Sequence, residues 1–333
     1  MRDIGFKELC ETLRASKGKK AVLTFHAIGD RDGVGSAVAL AKYFDEATVV
    51  TPDFITNNAR HMLSYIHMEN AVSTKFPDDA EMVIVLDVNN LFPLGRLADK
   101  VENFEGEVLF IDHHALHEGK EAKDALMFNT EDYNSTASIV YDVLKEIKAP
   151  ITKETAILLL NGITADSADL QNSTPHTFMQ ISEMLETSGM EYSFFTNYFR
   201  AAIPARSKYQ VIQDVSRASA EMIGNYVLVY GQAKEHANVA ADSALKLDAD
   251  ITVFWVISST EASISARMHA PLDKELSIHL GVMMRETGKM LGGNGGGHAC
   301  AAGAYGPNKN AAREAAEELV ERIKEKLREA QKR

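Results

Sequence analysis

The residues best suited to chemistry are carboxylates and imidazoles that recur in short clusters along the first half of the chain. One cluster reads His26-x-x-x-Asp30-x-Asp32, another reads Asp112-His113-His114, and single aspartates stand at Asp87 and Asp166. Oxygen and imidazole ligands without a nearby thiolate suit Mn²⁺ or Mg²⁺ better than a structural Zn²⁺. Because converging carboxylates repel one another, the pattern predicts more than one divalent cation.

Each of these residues has an ordinary explanation when it is taken alone. An aspartate after a strand most often caps a helix or a turn, and a lone histidine is usually structural. The combination is harder to explain in this way, because separate clusters follow separate predicted strands. The constellation therefore favours a metal site over a set of unrelated caps.

The elements that would position these residues are strands alternating with helices. The strands predicted from apolar runs are Ala21–Phe25, Ala47–Val50, Met82–Leu86 and Val108–Ile111. The predicted helices are Val34–Tyr43, Ser135–Ile147, Thr152–Ala165 and Thr174–Thr187. Such an alternation predicts a parallel sheet covered on both faces. The clusters then lie at the carboxyl ends of strands, where open α/β sheets gather their binding groups.

The second half of the chain predicts another strand and helix pattern with a glycine-rich segment near its end. The predicted strands are Tyr226–Tyr230, Ile251–Ile257 and Ala262–Met268, and the predicted helices are Val239–Leu247, Lys274–Met290 and a solvated surface helix from Asn310 onward. The glycines of residues 292–303 would let backbone N–H groups approach phosphate oxygens, above all if they opened a helix. Arg267 and His298 could donate hydrogen bonds to the same phosphate.

The composition of the chain limits the kinds of molecule that it is expected to bind. The chain has 333 residues, with 35 Lys+Arg against 47 Asp+Glu, so its formal net charge is −12. This acidity disfavours general attraction to nucleic acid or to an anionic membrane. Only two cysteines occur, Cys10 and Cys300, which fits a reducing compartment. With a charged, amphipathic N-terminus and no apolar run of membrane-spanning length, the chain is expected to be cytoplasmic.

Taken in order, the motifs resemble those of the DHH phosphoesterases that carry a C-terminal DHHA1 domain. The matching residues are His26-x-x-x-Asp30-x-Asp32-x-x-Gly35-Ser36, Asp87, Asp112-His113-His114, Asp166 and Gly295-Gly296-Gly297-His298-Ala299-x-Ala301-Ala302-Gly303. The resemblance covers nearly the whole chain. It implies an α/β fold in which a parallel-sheet DHH domain with helices on both faces is joined by a helical linker to a smaller α/β DHHA1 domain. The expected boundaries are 1–190, 191–222 and 223–333.

The resemblance implies a dinuclear Mn²⁺ centre bridged by Asp87, with Mg²⁺ or Co²⁺ as alternative ions. Asp112 would orient the ligands, and His114 would face the substrate phosphate or the leaving oxygen. The ligands of one ion would be His26, Asp30 and Asp87. The ligands of the other would be Asp32, Asp87, His113 and Asp166. The residues that would bind the distal part of the substrate are Arg267, Gly295, Gly296, Gly297 and His298.

One departure from the family pattern concerns the second motif. A Thr or Ser commonly follows its aspartate, whereas this chain continues Asp87-Val88-Asn89. The ligand is retained, and a hydroxyl that could support it is missing. Whether Asn89 substitutes for that hydroxyl is left open by the sequence.

The expected function is hydrolysis of short phosphoesters by two-metal activation of water. The expected substrates are short RNA or DNA oligonucleotides (nanoRNA, dinucleotides) or the bisphosphate 3′-phosphoadenosine 5′-phosphate, and neither long duplexes nor membranes are expected partners. The alternatives are a RecJ-type single-strand exonuclease, a cyclic-dinucleotide phosphodiesterase and a non-catalytic nucleotide-binding regulatory module. A long-strand channel should be basic and aromatic, and the acidic charge with Trp255 as the single tryptophan disfavours it. The oligomeric state is left open, with a homodimer among the options.

Overall fold

The computed structural model describes residues 1–116, 119–167, 170, 173–199 and 205–331. The chain divides into two compact units, Met1–Ala202 and Ile203–Arg333. The segment that sequence analysis assigned to a linker contributes a helix to each unit, Tyr192–Phe199 to the first and Ala205–Ser216 to the second. Within the described ranges, no helix has the length and apolar character needed to cross a membrane.

The first unit alternates strands with helices, as the apolar pattern predicted. Its strands are β1 (Arg2–Asp3), β2 (Lys20–Thr24), β3 (Ile28–Gly29), β4 (Glu46–Val50), β5 (Phe54–Ile55), β6 (Val72–Ser73), β7 (Met82–Leu86), β8 (Glu107–Asp112) and β9 (Leu126–Asn129). Its helices are α1 (Phe6–Ala15), α2 (Arg31–Ala41), α3 (Asn57–Tyr65), α4 (Ala98–Glu102), α5 (Thr136–Glu146), α6 (Lys153–Asp166), α7 (Pro175–Ser188) and α8 (Tyr192–Phe199), with a 3₁₀ turn at Phe92–Leu97.

Seven of these strands form one parallel sheet in the order β1-β9-β8-β7-β2-β4-β6. Its central strands are apolar on both faces because both faces are covered. Leu23 and Ile84 pack into the core beneath α2, α5 and α6. Val22 and Val83 pack on the opposite face, against the 3₁₀ turn and α4. The predicted parallel sheet with two covered faces is confirmed.

The second unit is built on a six-stranded mixed sheet. Its strands are β10 (Ser219–Ile223), β11 (Tyr226–Gln232), β12 (Ile251–Ile257), β13 (Ala262–Met268), β14 (Asn294–Gly297) and β15 (Ala301–Gly306). Its helices are α9 (Ala205–Ser216), α10 (Ala237–Leu245), α11 (Leu272–Leu276), α12 (Leu280–Met290) and α13 (Ala312–Ala330). The strand order is β10-β11-β12-β13-β15-β14, in which β11 and β12 are parallel and the other neighbours are antiparallel.

Two helix expectations for this unit differ from the structure. The helix predicted over 274–290 is two helices, separated at Ser277, which has a left-handed backbone (φ 53°). The helix from Asn310 was expected to be solvated, but α13 buries one apolar face that includes Leu319 and Ile323. Its Glu and Lys residues occupy the other face, so charge content alone concealed an amphipathic helix.

The glycine-rich segment opens no helix. It forms the edge hairpin β14–β15, and β14 packs directly on α12. A Cβ atom built on Gly295 would collide with the backbone of Met284, and one on Gly297 would lie 2.6 Å from the carbonyl oxygen of Ala301. These two glycines therefore serve close packing, whereas Gly296 has open space on its side-chain face.

Candidate metal centre

The loop after β2 and the start of α2 place the first candidate ligands. His26 comes two residues after the strand ends. Asp30 is the N-cap of α2, and its Oδ1 accepts hydrogen bonds from the backbone N–H groups of Asp32 (2.9 Å) and Gly33 (3.0 Å). His26 Nε2 lies 3.4 Å from Asp30 Oδ1. Capping is the ordinary function of aspartate at this position, so a further role for Asp30 depends on its neighbours.

Asp32 is fully buried in the first turn of α2 and points at the N-terminus of α5. Its Oδ2 accepts a hydrogen bond from the backbone N–H of Thr136 (2.7 Å), and its Oδ1 accepts one from that of Ala137 (2.8 Å). A helix start carries unpaired N–H groups and partial positive charge, which offset the cost of burying a carboxylate. The two bonds also fix the direction of the Asp32 carboxylate.

Asp87 follows β7 at the centre of the carboxyl edge of the sheet. Its backbone N–H donates to the carbonyl of Ile111 (3.0 Å), which extends the β7–β8 pairing by one residue. The residue is buried and has a left-handed backbone (φ 65°). Its Oδ2 lies 3.3 Å from His26 Nε2. A non-glycine residue in this conformation is costly and is often found at functional positions.

The end of β8 supplies the third cluster. His114 Nδ1 and Asp112 Oδ1 are 2.8 Å apart and hydrogen-bonded. His113 Nε2 faces three carboxylates, at 3.2 Å from Asp166 Oδ2, 3.6 Å from Asp87 Oδ1 and 3.9 Å from Asp32 Oδ2. The two histidines thus point differently, one into the carboxylates and one onto Asp112.

Asp166 reaches the site because α6 crosses α2 at close range. A Cβ atom on Gly35 of α2 would lie 2.7 Å from the carbonyl oxygen of Leu158. One on Gly162 of α6 would lie 2.6 Å from both Asp32 Oδ1 and Ala137 Cβ. The absence of these side chains lets α6 deliver its last residue, Asp166, to the edge of the sheet.

The predicted ligands therefore meet in overlapping groups. In each group, one ligand atom from every member lies within 4.8 Å of those of the others. The groups are His26, Asp30 and Asp87; Asp32, Asp87, His113 and Asp166; and Asp87, Asp112, His113 and His114. Asp87 belongs to all three groups, so it is the candidate ligand that two cations could share.

The site fits divalent cations on two grounds besides this geometry. The buried atoms Asp112 Oδ2 and His113 Nε2 have no hydrogen-bond partner among the described residues, and buried polar atoms are normally paired. The donor set consists of carboxylate oxygens and imidazole nitrogens, which Mn²⁺ and Mg²⁺ accept. His113 Nε2 in particular is placed as a ligand atom.

The pKa shifts within the site also favour the binding of cations. Burial, together with the charges of Asp87 and Asp166, raises the pKa of Asp32 well above its usual value. Burial also raises the pKa of Asp87 to about 6, although its hydrogen bond with His26 opposes the shift. Burial lowers the pKa of His26, but hydrogen bonds with Asp30 and Asp87 outweigh it and raise that pKa to about 11. The cluster thus retains protons that cations would displace.

A pocket of about 370 Å³ opens over these residues. Candidate residues from all four sequence clusters line it, together with residues that follow β7. The lining residues are His26, Asp30, Asp87, Val88, Asn89, Asn90, Pro93, Asp112, His114 and Asp166. The buried residues His113 and Asp32 are not part of this lining.

Sequence reasoning missed two kinds of supporting residue. Thr136 donates its Oγ1 hydrogen to Asp87 Oδ1 (3.1 Å), so the hydroxyl absent after the second motif comes from α5 instead. Asn89 does not replace it. The amide of Asn89 donates to the carbonyl of Ala115 (3.1 Å), and that of Asn129 donates to the carbonyl of His114 (3.0 Å). The polar run at residues 135–136, at a predicted helix start, was the available signal.

The predicted substrate residues of the second unit gather around one cross-strand position. Arg267 of β13 pairs with Ala301 of β15, and the backbone N–H of His298 donates to the Ala301 carbonyl (2.8 Å). Arg267 Nε also donates to Asp242 Oδ1 (2.7 Å) on α10. Gly296 and Gly297 pair with Gly303 and Ala302 of β15. Arg267 and His298 thus flank one strand residue, with Gly296 open beside them.

Comparison with protein families gives two matches that together cover most of the chain. Residues 20–163 match the model described as the DHH family, N-terminal domain, and residues 200–329 match the DHHA1 domain. The first match contains five of the six candidate metal ligands, and the second contains the glycine-rich hairpin. Asp166 lies three residues beyond the end of the first match.

Individual proteins extend the similarity over the full length. An uncharacterized protein of Methanocaldococcus jannaschii is 26% identical over 312 residues, which are 91% of this chain and 92% of that protein. An exopolyphosphatase-related protein from Bacteroides fragilis has a TM-score of 0.79 at 17% identity, with 97% of both chains covered. RecJ from Thermus thermophilus, solved in complex with Mn²⁺, has a TM-score of 0.52 at 15% identity, with 96% of this chain and 54% of RecJ covered.

Proposed function

Because this chain belongs to the DHH family and carries its DHHA1 domain, we propose that it hydrolyses short nucleotide phosphoesters with two divalent cations, Mn²⁺ above all. The expected substrates are dinucleotides, other very short oligonucleotides and 3′-phosphoadenosine 5′-phosphate. The observation that carries the proposal is the position of Asp87, which lies within ligand distance of two separate groups of His and Asp residues. One carboxylate shared in this way is what a dinuclear centre requires.

The candidate ligands form two sets that share Asp87, and these are the same two sets that the family resemblance implied. His26 and Asp30 would hold one cation, and Asp32, His113 and Asp166 would hold the other. When bound, two cations stabilise charge on the phosphoryl oxygens and make water a nucleophile near neutral pH. All the remaining steps fall to the residues of the chain.

We assign to His114 the transfer of a proton to the leaving oxygen. It lines the pocket, and its Nδ1 is held by Asp112. Burial lowers the pKa of His114, but the bond to Asp112 and the charges nearby outweigh it and raise that pKa above its usual value. A protonated imidazole facing the substrate can donate to the departing oxygen, which contributes typically about 10²–10⁴-fold in rate. Asp112 acts as its positioning residue.

The second unit carries groups of its own that suit an anionic substrate. Arg267 offers a guanidinium held in place by Asp242, and Gly296 of the glycine-rich hairpin has open space on its side-chain face. Guanidinium groups bind phosphate with charge-assisted hydrogen bonds. The formal charge of −12 still disfavours a long nucleic acid strand, so small substrates are favoured.

A substrate panel tests the proposal. Purified protein with Mn²⁺ is offered a dinucleotide, 3′-phosphoadenosine 5′-phosphate, a cyclic dinucleotide, a long single strand and pyrophosphate, and the products are resolved by chromatography. Turnover of the first two at higher kcat/KM than the rest supports the proposal. Preference for the long strand would indicate a RecJ-type exonuclease instead. Binding without turnover of any substrate would indicate a nucleotide-binding regulatory module.

A further inference from the structure

Three large apolar side chains stand exposed on segments of the first unit near the carboxyl edge of its sheet, two of them on loops that carry candidate ligands. Ile28 is 56% exposed, Phe54 47% and Phe92 71%. We refer to these three residues as the apolar rim. Exposed apolar groups are normal when scattered, but a group of them beside a pocket marks a binding surface more often than chance.

The backbone ties the apolar rim to the wall of the metal pocket. Ile28 lies between His26 and Asp30 in the chain, and β3 pairs with β5 in the register Ile28↔Phe54. Registered neighbours of a parallel pair share a face, so these two side chains are adjacent. Phe92 precedes Pro93, which lines the pocket and whose carbonyl accepts the N–H of Ala27 (2.7 Å).

The size and polarity of the pocket limit which part of a substrate fits inside it and which part must extend over the apolar rim. At about 370 Å³ it is near the lower end for ligand pockets. Carboxylates and imidazoles supply most of its chemistry, which suits a phosphate with its cations. A nucleoside attached to that phosphate must extend past the pocket wall. Nucleobases present a flat apolar face that stacks on aromatic side chains, and such stacking tolerates any base.

We propose that the apolar rim binds a nucleobase of the substrate while the phosphate of the same substrate occupies the metal pocket lined by Asp87. This inference rests on the proposed function and deepens it, since it makes the first unit select nucleosidic phosphoesters over base-free ones. Phe92 and Phe54 supply the stacking surface, and Ile28 supplies an aliphatic contact beside Phe54. The apolar rim determines which substrates bind, and its residues are different from those that hold cations or protons.

The test compares a dinucleotide with its abasic counterpart, which has the same sugar–phosphate backbone and lacks the bases. Wild-type protein with Mn²⁺ should prefer the dinucleotide by kcat/KM. Phe92→Ala and Phe54→Ala should each lower kcat/KM for the dinucleotide by about five- to a hundredfold, the range for loss of one stacked base. Both variants should leave kcat/KM for the abasic substrate unchanged, and Phe92→Trp should retain the preference.

Phe178→Ala is the matched control, because Phe178 is 51% exposed on α7 of the same unit. This variant should leave kcat/KM unchanged for both substrates. Equal losses for both substrates in the rim variants, or equal rates for both substrates in wild type, would overturn the inference while leaving the proposed function intact. Light scattering adds a further arm: conversion of a wild-type dimer into monomers by Phe92→Ala assigns the rim to self-association and overturns base binding. If wild type hydrolyses neither of these substrates nor 3′-phosphoadenosine 5′-phosphate, the proposed function fails and the rim assignment fails with it.

Discussion

The hydroxyl of Thr136 donates a hydrogen bond to Asp87 Oδ1 at 3.1 Å, while the backbone N–H of the same residue donates to Asp32 Oδ2 at 2.7 Å. One residue at the start of α5 therefore holds two of the candidate metal-binding carboxylates. Groups that orient ligands in this way are often as important to a metal site as the ligands themselves.

Thr136→Val removes the hydroxyl and keeps the backbone donor. We expect the affinity for Mn²⁺ to fall by about 10–100-fold, the usual effect of losing an outer partner of a metal ligand. Isothermal titration calorimetry on the variant measures this directly. Thr136→Ser restores the donor and should restore the affinity. A valine variant that binds Mn²⁺ as wild type does would show that the bond is incidental.

Asp87→Asn should separate metal binding from stability. The pKa of Asp87 is raised by burial to about 6, from an ordinary value near 3.8. A folded-state pKa above the unfolded value means that stability present below about pH 4 is lost as the pH rises through about 6. At about pH 7.5, metal-free Asp87→Asn should therefore have a higher Tm than metal-free wild type, with no such gain at about pH 4.

The same variant should lose the stabilisation that Mn²⁺ gives to wild type. A ligand at one hundred times its Kd stabilises a folded protein by about 2.7 kcal/mol, so wild type should show a clear rise in Tm on adding Mn²⁺. Phosphoesterase activity should disappear with it, since the shared carboxylate is gone. Retained turnover in Asp87→Asn would refute the assignment of Asp87 as the bridging ligand.

Mn²⁺ affinity of wild type should increase as the pH rises through the neutral range. The raised pKa values of His26, Asp32, Asp87 and His113 mean that cations compete with protons for these side chains. Binding must then release protons. Calorimetry in two buffers of different ionisation enthalpy counts them, and an affinity that falls with rising pH would contradict the protonation pattern.

Gly162→Ala should damage the crossing of α2 and α6. The new Cβ would lie 2.6 Å from Asp32 Oδ1 and from Ala137 Cβ. Overpacking of this kind costs about 1–3 kcal/mol, and we expect a lower Tm and weaker Mn²⁺ binding together. Gly18→Ala is the control, because a Cβ there would contact only Asp45 Oδ2, at an ordinary distance of 3.9 Å. Equal Tm values for the two variants would mean that the helices shift apart at no cost.

Arg267→Ala should weaken substrate binding more than it slows chemistry. The guanidinium is anchored to Asp242 and stands beside the glycine-rich hairpin, in a different unit from the metal ligands. We expect KM for a dinucleotide to rise by roughly tenfold, as for loss of one charged hydrogen bond, with a smaller change in kcat. An unchanged KM for the dinucleotide would exclude Arg267 from the substrate site.

The sequence was most informative where burial alone determines the pattern. Met82–Leu86 was located without error because a strand covered on both faces must be apolar throughout. Strands such as Arg2–Asp3 carry no such pattern, since they are short and lie at the edge. The helix after Asn310 was placed correctly and described wrongly, because its buried face is hidden among charges.

The candidate ligands were visible because His and Asp clusters rarely follow several strands of one sheet, and the structure brings all six together in overlapping groups. Their supports were not visible. Thr136 is an ordinary residue at a helix start, and nothing in a linear sequence tells which carboxylate it will meet. The glycines of 295–297 were expected to approach a phosphate, and only the position of α12 shows that Gly295 serves close packing.

The chain order of the candidate metal ligands has a consequence for the way the protein is made. Five of the six, His26 to His113, precede residue 114, while the sixth, Asp166, is the last residue of α6. A growing chain on the ribosome must therefore expose most of an acidic cluster before the final ligand has been synthesised. The six candidate ligands can therefore meet only after α6 has been synthesised and has packed across α2.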